Sequence, residues 1–136
     1  MNVLDCKTLY VIEKETLEIH TFDGIYICKE KIKDIIDDAL LKQLTTIKGR
    51  NEAVGKITKR KNRVLLFIDR ETIFYKLSDK FNYYINICNI YNVLSKGNIC
   101  EVIFLNGNVL NINVTNKVIK KKIKEGQKII NYLSKM

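Results

Sequence analysis

The sequence has no proline, no tryptophan and a single histidine, and its longest uninterrupted apolar run, residues 64–68, is five residues long. A helix needs about 20 apolar residues to cross a bilayer, so a transmembrane helix is excluded. The opening Met1-Asn2-Val3-Leu4-Asp5-Cys6 lacks a basic stretch followed by an apolar one, so no secretory signal is expected and the cytoplasm is the expected compartment. Cys6, Cys28, Cys88 and Cys100 never stand two or three residues apart. That spacing, with one histidine, argues against zinc, and a disulfide framework would need an oxidising compartment. The four read as buried thiols, and neither metal nor cofactor is expected. No repeat, linker or low-complexity tract divides the 136 residues, which fit one domain. An apolar content of 46% can fill a core at this size and excludes disorder as the main reading.

Positive charge is what the chain has in excess, +9 in all. Lys, Asn and Ile make up 55 residues, as an AT-rich coding sequence would produce, so distribution says more than the total. Residues 1–45 are net −3, residues 46–63 net +6, residues 64–105 neutral and residues 106–136 net +6. Codon bias alone does not gather charge into two segments. Two basic clusters flanking a neutral stretch suit a binder of the phosphate backbone, which gains by counterion release.

Residues 8–12, 16–22 and 25–28 alternate as strands, the last two around Asp23-Gly24, a hairpin signal. Across residues 29–44, Ile32, Ile36, Leu40 and Leu44 recur every four residues beside Ile35, Ala39 and Leu41, which predicts an amphipathic helix. Residues 48–63, with Gly49, Gly55 and seven cations, read as a loop with one short helical turn. Strands are expected at residues 64–68, 72–77, 83–87 and 90–94. Residues 99–105 and 108–114 form a hairpin on Asn106-Gly107, pairing Ile103 with Leu110 and Phe104 with Val109. Leu110, Ile112 and Val114 are assigned to the core and Val109, Asn111 and Asn113 to the other face. Thr115 can cap a last helix with Ile119, Ile123, Ile130 and Leu133 as its apolar stripe, which Gly126 weakens by about 1 kcal/mol. The fold class is α+β: a mostly antiparallel sheet with two helices, about 30–44 and 116–134.

Catalytic constellations are missing. His20 shares a strand face with Glu18 and Phe22 and reads as structural. Gly55-Lys56 lacks the upstream glycine of a phosphate loop, and Asp37-Asp38, adjacent on a helix, point apart. The cluster Lys48, Arg50, Lys56, Lys59, Arg60, Lys61 and Arg63 repels itself and gains if an anion sits against it. Lys117, Lys120, Lys121, Lys122, Lys124 and Lys128 crowd the last helix, where 117, 120/121, 124 and 128 share a face. That helix has neither Trp nor Phe and its apolar stripe is needed by the core, which argues against a membrane role. Tyr83 and Tyr84, beside Asn82 and Asn86, are candidates for stacking on bases, although core packing accounts for them better.

In order and spacing, Gly49-Arg50-Asn51-Glu52-Ala53, Lys56-Ile57-Thr58, Thr72-Ile73-Phe74-Tyr75-Lys76-Leu77-Ser78, Tyr83-Tyr84-Ile85-Asn86, Ile90 and Val102-Ile103-Phe104-Leu105-Asn106-Gly107 resemble the ComK competence transcription factors. Lys76-Leu77 stand where that family has Pro-Thr, and Tyr84 where it has Trp. Over the C-terminal half the chain is also similar to LytTR DNA-binding domains. The ComK resemblance implies an activator, with no enzymatic activity, that binds AT-rich promoter DNA largely from the minor groove and switches on DNA-uptake genes on the nucleoid. Arg50, Arg60 and Arg63 are the candidates for groove insertion; Lys48, Lys56, Lys59, Lys61, Lys117, Lys120, Lys121 and Lys124 position on phosphates. The expected partner is double-stranded DNA, with no small-molecule substrate and no membrane, and palindromic sites would call for a homo-oligomer. The alternatives are a basic module for an acidic protein or anionic surface, and an RNA-binding module.

Overall fold

Alternation at the start of the chain does produce strands, and they assemble into more sheet than the sequence suggests. In the computed structural model, which describes residues 4–42, 44–58 and 65–134, β1 (Thr8–Glu13), β2 (Leu17–Thr21) and β3 (Gly24–Cys28) form a meander. Next come helices α1 (Ile32–Leu41) and α2 (Ile47–Thr58), then a second meander of β4 (Leu65–Asp69), β5 (Thr72–Ser78) and β6 (Asn82–Asn86). Strands β1 and β6 pair antiparallel and join the meanders into one six-stranded sheet of order β3-β2-β1-β6-β5-β4. After a 3-10 turn (Ile87–Asn89), β7 (Ile90–Lys96), β8 (Ile99–Phe104) and β9 (Val109–Ile112) make a separate three-stranded sheet. Helix α3 (Asn116–Ser134) closes the described chain.

The period-two pattern gives the large sheet two apolar faces. Val11, Leu17, Ile19, Phe74 and Tyr84 point one way and pack with Ile32, Ile35, Ile36, Ala39 and Leu40 of α1. Tyr10, Ile12, Ile73, Tyr75, Leu77 and Ile85 point the other way and pack with Val93, Val102, Phe104, Leu110 and Ile112 of the small sheet and Ile119 and Ile129 of α3. The rings of Tyr10 and Phe104, 5.4 Å apart, stitch the two sheets together. A buried polar clamp holds the end of β6 and the 3-10 turn against β1 and β5. Asn86 Oδ1 accepts the N–H groups of Ile73 and Cys88, each at 3.2 Å, and its Nδ2 donates to the carbonyls of Thr8 and Glu71 at 3.0 and 3.4 Å. Asn89 Nδ2 donates to the carbonyls of Cys6 and Thr8, both at 2.8 Å.

Several expectations are corrected. Residues 47–58 are a helix, not a loop: the Thr46 hydroxyl accepts the Gly49 N–H at 3.1 Å, a side-chain N-cap that the glycines disguised. Among the described residues there are therefore three α-helices, not two. Leu44 does not continue the stripe of α1. It stands 96% exposed at φ +57°, because Leu44 and Thr45 donate to the carbonyls of Leu41 and Leu40, closing a Schellman turn.

Both hairpins slip in register. The pairs are Ile103↔Val109 and Val102↔Leu110, around a three-residue loop in which Gly107 adopts φ +89°. Gly107 donates to the Phe104 carbonyl, and Phe104 to that of Asn108. The expected pairing of Ile103 with Leu110 would have turned Ile103 inward and Val102 and Phe104 out; burial of the latter two decides the register. The face assignment for Leu110, Ile112 and Val109 holds. In the first hairpin Thr21↔Gly24 closes on Phe22-Asp23. Of the cysteines, Cys28 and Cys100 are buried, but Cys6 is exposed and Cys88 half-buried.

Candidate nucleic-acid interface

Helices α2 and α3 carry the two basic segments, and they pack against each other. Strands β4 to β9 lie between them in sequence, so the fold brings the two basic helices together. On α2, Lys48 and Lys56 are exposed. On α3, Ile119 and Ile129 are buried and Ile123, Ile130 and Leu133 pack behind them, which turns Lys117, Lys121, Lys124 and Lys128 to solvent along one stripe with Lys120 beside it. That stripe spans about 16 Å, eleven helical rises. The first turn of α3 holds no acidic residue, so Lys117, Lys120 and Lys121 crowd the positive end of the helix dipole, an arrangement an anion relieves.

Not every cation of the sequence faces out. Lys122 is half-buried and paired with Glu125 at 3.1 Å. Arg50 lies over the Phe67 ring at 5.3 Å and donates to the Ile68 carbonyl at 3.4 Å. Burial lowers the pKa of its guanidinium, and Asp69 partly offsets this. Arg50 thus ties α2 to β4. Lys59, Arg60, Lys61 and Arg63 lie outside the described residues, in the stretch between α2 and β4.

The tyrosine and asparagine motif belongs to the fold. Tyr84 is buried, with Lys76 over its ring at 5.8 Å, and burial pushes its phenol up to about 12. Asn82 accepts the Ser78 hydroxyl at 2.9 Å and donates to Glu13 at 3.0 Å, and Asn86 is the clamp described above. Neither Tyr84 nor Asn86 can reach a base. No signal in the sequence separates these asparagines from solvent-facing ones; only the assembled sheet does.

His20 stacks on Tyr10 with centroids 4.2 Å apart and meets Glu18 at 3.4 Å. Burial holds its pKa below the ordinary value, against the Glu18 contact. Cys6 and Cys88 open on a cleft of about 620 Å³ under α3. Burial raises both thiols, Cys88 to about 11, so they are not thiolates at neutral pH. Among the described residues, no group of three His, Cys, Asp or Glu could hold a metal ion, and no helix is long and apolar enough to cross a membrane.

Compared with models of known protein families, the chain matches the one described as ComK protein over residues 6–136. Neither the curated proteins nor the solved structures gave a match.

Proposed function

The chain belongs to the ComK family, whose members are competence transcription factors and not enzymes, and from that premise we propose that it binds AT-rich duplex DNA through the joined face of α2 and α3. The carrying observation is that contact: helices whose cations are far apart in sequence are neighbours in space. Lys48, Lys56, Lys117, Lys120, Lys121 and Lys124 sit on phosphates, and they set position without reading sequence. Sequence preference falls to Arg60 and Arg63, with Lys59 and Lys61 beside them, by insertion into the narrow minor groove of A-tracts. On this reading the protein acts in the cytoplasm, on the nucleoid, as an activator of DNA-uptake genes, and it takes no small-molecule substrate.

The test is a titration of the purified protein against AT-rich and GC-rich duplexes of equal length at about 50 and about 200 mM salt. Six phosphate contacts predict a loss of about 2,000-fold in affinity between those two conditions. An AT preference of about tenfold or more should survive at the higher salt. Lys121→Ala and Lys124→Ala should weaken both duplexes alike and each lower the salt slope by about 1, while Arg60→Ala with Arg63→Ala should erase the AT preference. Weak binding to both duplexes that vanishes with salt would overturn the reading and leave a basic surface for an acidic protein.

A further inference from the structure

The two edges of the large sheet are treated differently. Edge strand β4 has α2 against it, and Arg50 donates to the outward carbonyl of Ile68. Edge strand β3 pairs only with β2. It presents Ile25, Tyr26 and Ile27 at 60%, 50% and 61% exposure, the only strand among those described with three consecutive exposed bulky apolar residues. Edges are usually protected by charge, proline, a bulge or a covering element, and Gly24–Cys28 carries none of these.

We infer that β3 is the seam at which two copies of this chain join, antiparallel across a two-fold axis at Tyr26. The register follows from the sequence around the strand. Centred on Tyr26, the pairing sets Ile25 opposite Ile27 of the second copy, keeping all four isoleucines on one face. It also sets Asp23 opposite Lys29, twice by symmetry. Centring on Ile25 puts Asp23 opposite an isoleucine, and centring on Ile27 puts Lys29 opposite one; both leave a charge facing an apolar side chain with no partner across the seam. The basic helix α2 does not oppose pairing at this edge. Residues 1–45 are net −3, whereas the basic helix α2 lies at the far edge. In a continuous twelve-stranded sheet the two β4 strands are eleven spacings apart, about 50 Å if the sheet were flat. That is several Debye lengths, so the basic faces do not repel across the seam.

The seam stands on this geometry alone; only its use, presenting two faces to a two-fold DNA site, rests on the reading above. The test is sedimentation equilibrium of the nucleic-acid-free full chain. Wild type should form a dimer. Ile25→Lys with Ile27→Lys should be monomeric with an unchanged circular dichroism spectrum. Asp23→Lys and Lys29→Asp should each weaken the dimer by about tenfold, and the double swap should restore it. A wild type that stays monomeric, or a dimer indifferent to the two lysines, overturns the seam. Swaps that weaken the dimer without mutual rescue overturn the register, hence the proposal in this form. Binding of the monomeric variant to a single AT-rich half-site separates this outcome from failure of the DNA reading.

Discussion

Replacing Asn86 by alanine removes a side chain that is 0% exposed and makes four hydrogen bonds. The Thr8 carbonyl keeps its bond from Asn89 at 2.8 Å, and the 3.4 Å bond to Glu71 is weak. The cost therefore falls on the N–H groups of Ile73 and Cys88, which lose their acceptor in a site that water does not reach freely. Each orphaned donor costs about 1–3 kcal/mol, so about 4 kcal/mol is expected in all, a large part of the 5–15 kcal/mol (roughly) that holds a domain together. Urea unfolding followed by circular dichroism and tyrosine fluorescence should show the midpoint about 2–3 M lower, at a slope near 1.5 kcal/mol/M. Asn86→Asp keeps the acceptor for both amides but faces two carbonyls with a buried charge. Its folded-state pKa rises, so its deficit should be largest at neutral pH and shrink as pH falls and the carboxyl protonates. A loss under about 1 kcal/mol for the alanine variant, or an aspartate variant indifferent to pH, would refute the clamp. If Asn86→Ala instead stayed stable and lost DNA affinity, the residue would be reading bases.

Gly126→Ala should gain none of the roughly 1 kcal/mol that alanine usually brings a helix, because the added Cβ would stand 2.6 Å from Ile87 Cδ1; in an Ile87→Val background the gain should reappear, and thermal melts of the four proteins decide. Leu44→Gly should stabilise by about 0.5–1 kcal/mol, since a leucine at φ +57° is strained and glycine is not; a loss of stability would show that the exposed leucine has a contact of its own. His20 has a folded-state pKa below 6.5, so the unfolded chain binds the proton more readily and stability must fall as pH is lowered through 6.5. His20→Phe keeps a ring against Tyr10 and should remove that loss between about pH 7.5 and about pH 5.5; an equal slope in both proteins would refute it.

Local pattern carried much of the architecture. Strand alternation at β1 to β3, the four-residue recurrence of isoleucine and leucine in α1, and the stripe of α3 were readable because each element buries one face of a regular repeat. The failures share a cause. Hairpin register, the αL turn at Leu44 and the close approach at Gly126 are fixed by a partner distant in sequence or by a carbonyl that needs a donor, and periodicity records neither. The helix at residues 47–58 was hidden by two glycines, whose propensity cost is overridden by the Thr46 cap and by packing on β4 and α3. In the candidate site, exposed lysines were legible as charge. The diversion of Arg50 onto Phe67 and of Lys122 onto Glu125 was not, since a cation in a basic run looks the same whether it points outward or in.

The pairing of β1 with β6 sets when this protein can exist. Glu13 meets Asn82, and Tyr10 meets Ile85, so the middle of the sheet waits for a partner some 70 residues downstream. At ribosomal rates of roughly 5–20 residues per second, the first meander, complete at Cys28, waits about 3–12 seconds before β6 is made out to Asn86. Closing so long a loop is also slow in free solution. A chain cut short ahead of β6 leaves β1 without its second neighbour, so the large sheet is completed only once Asn86 has been made.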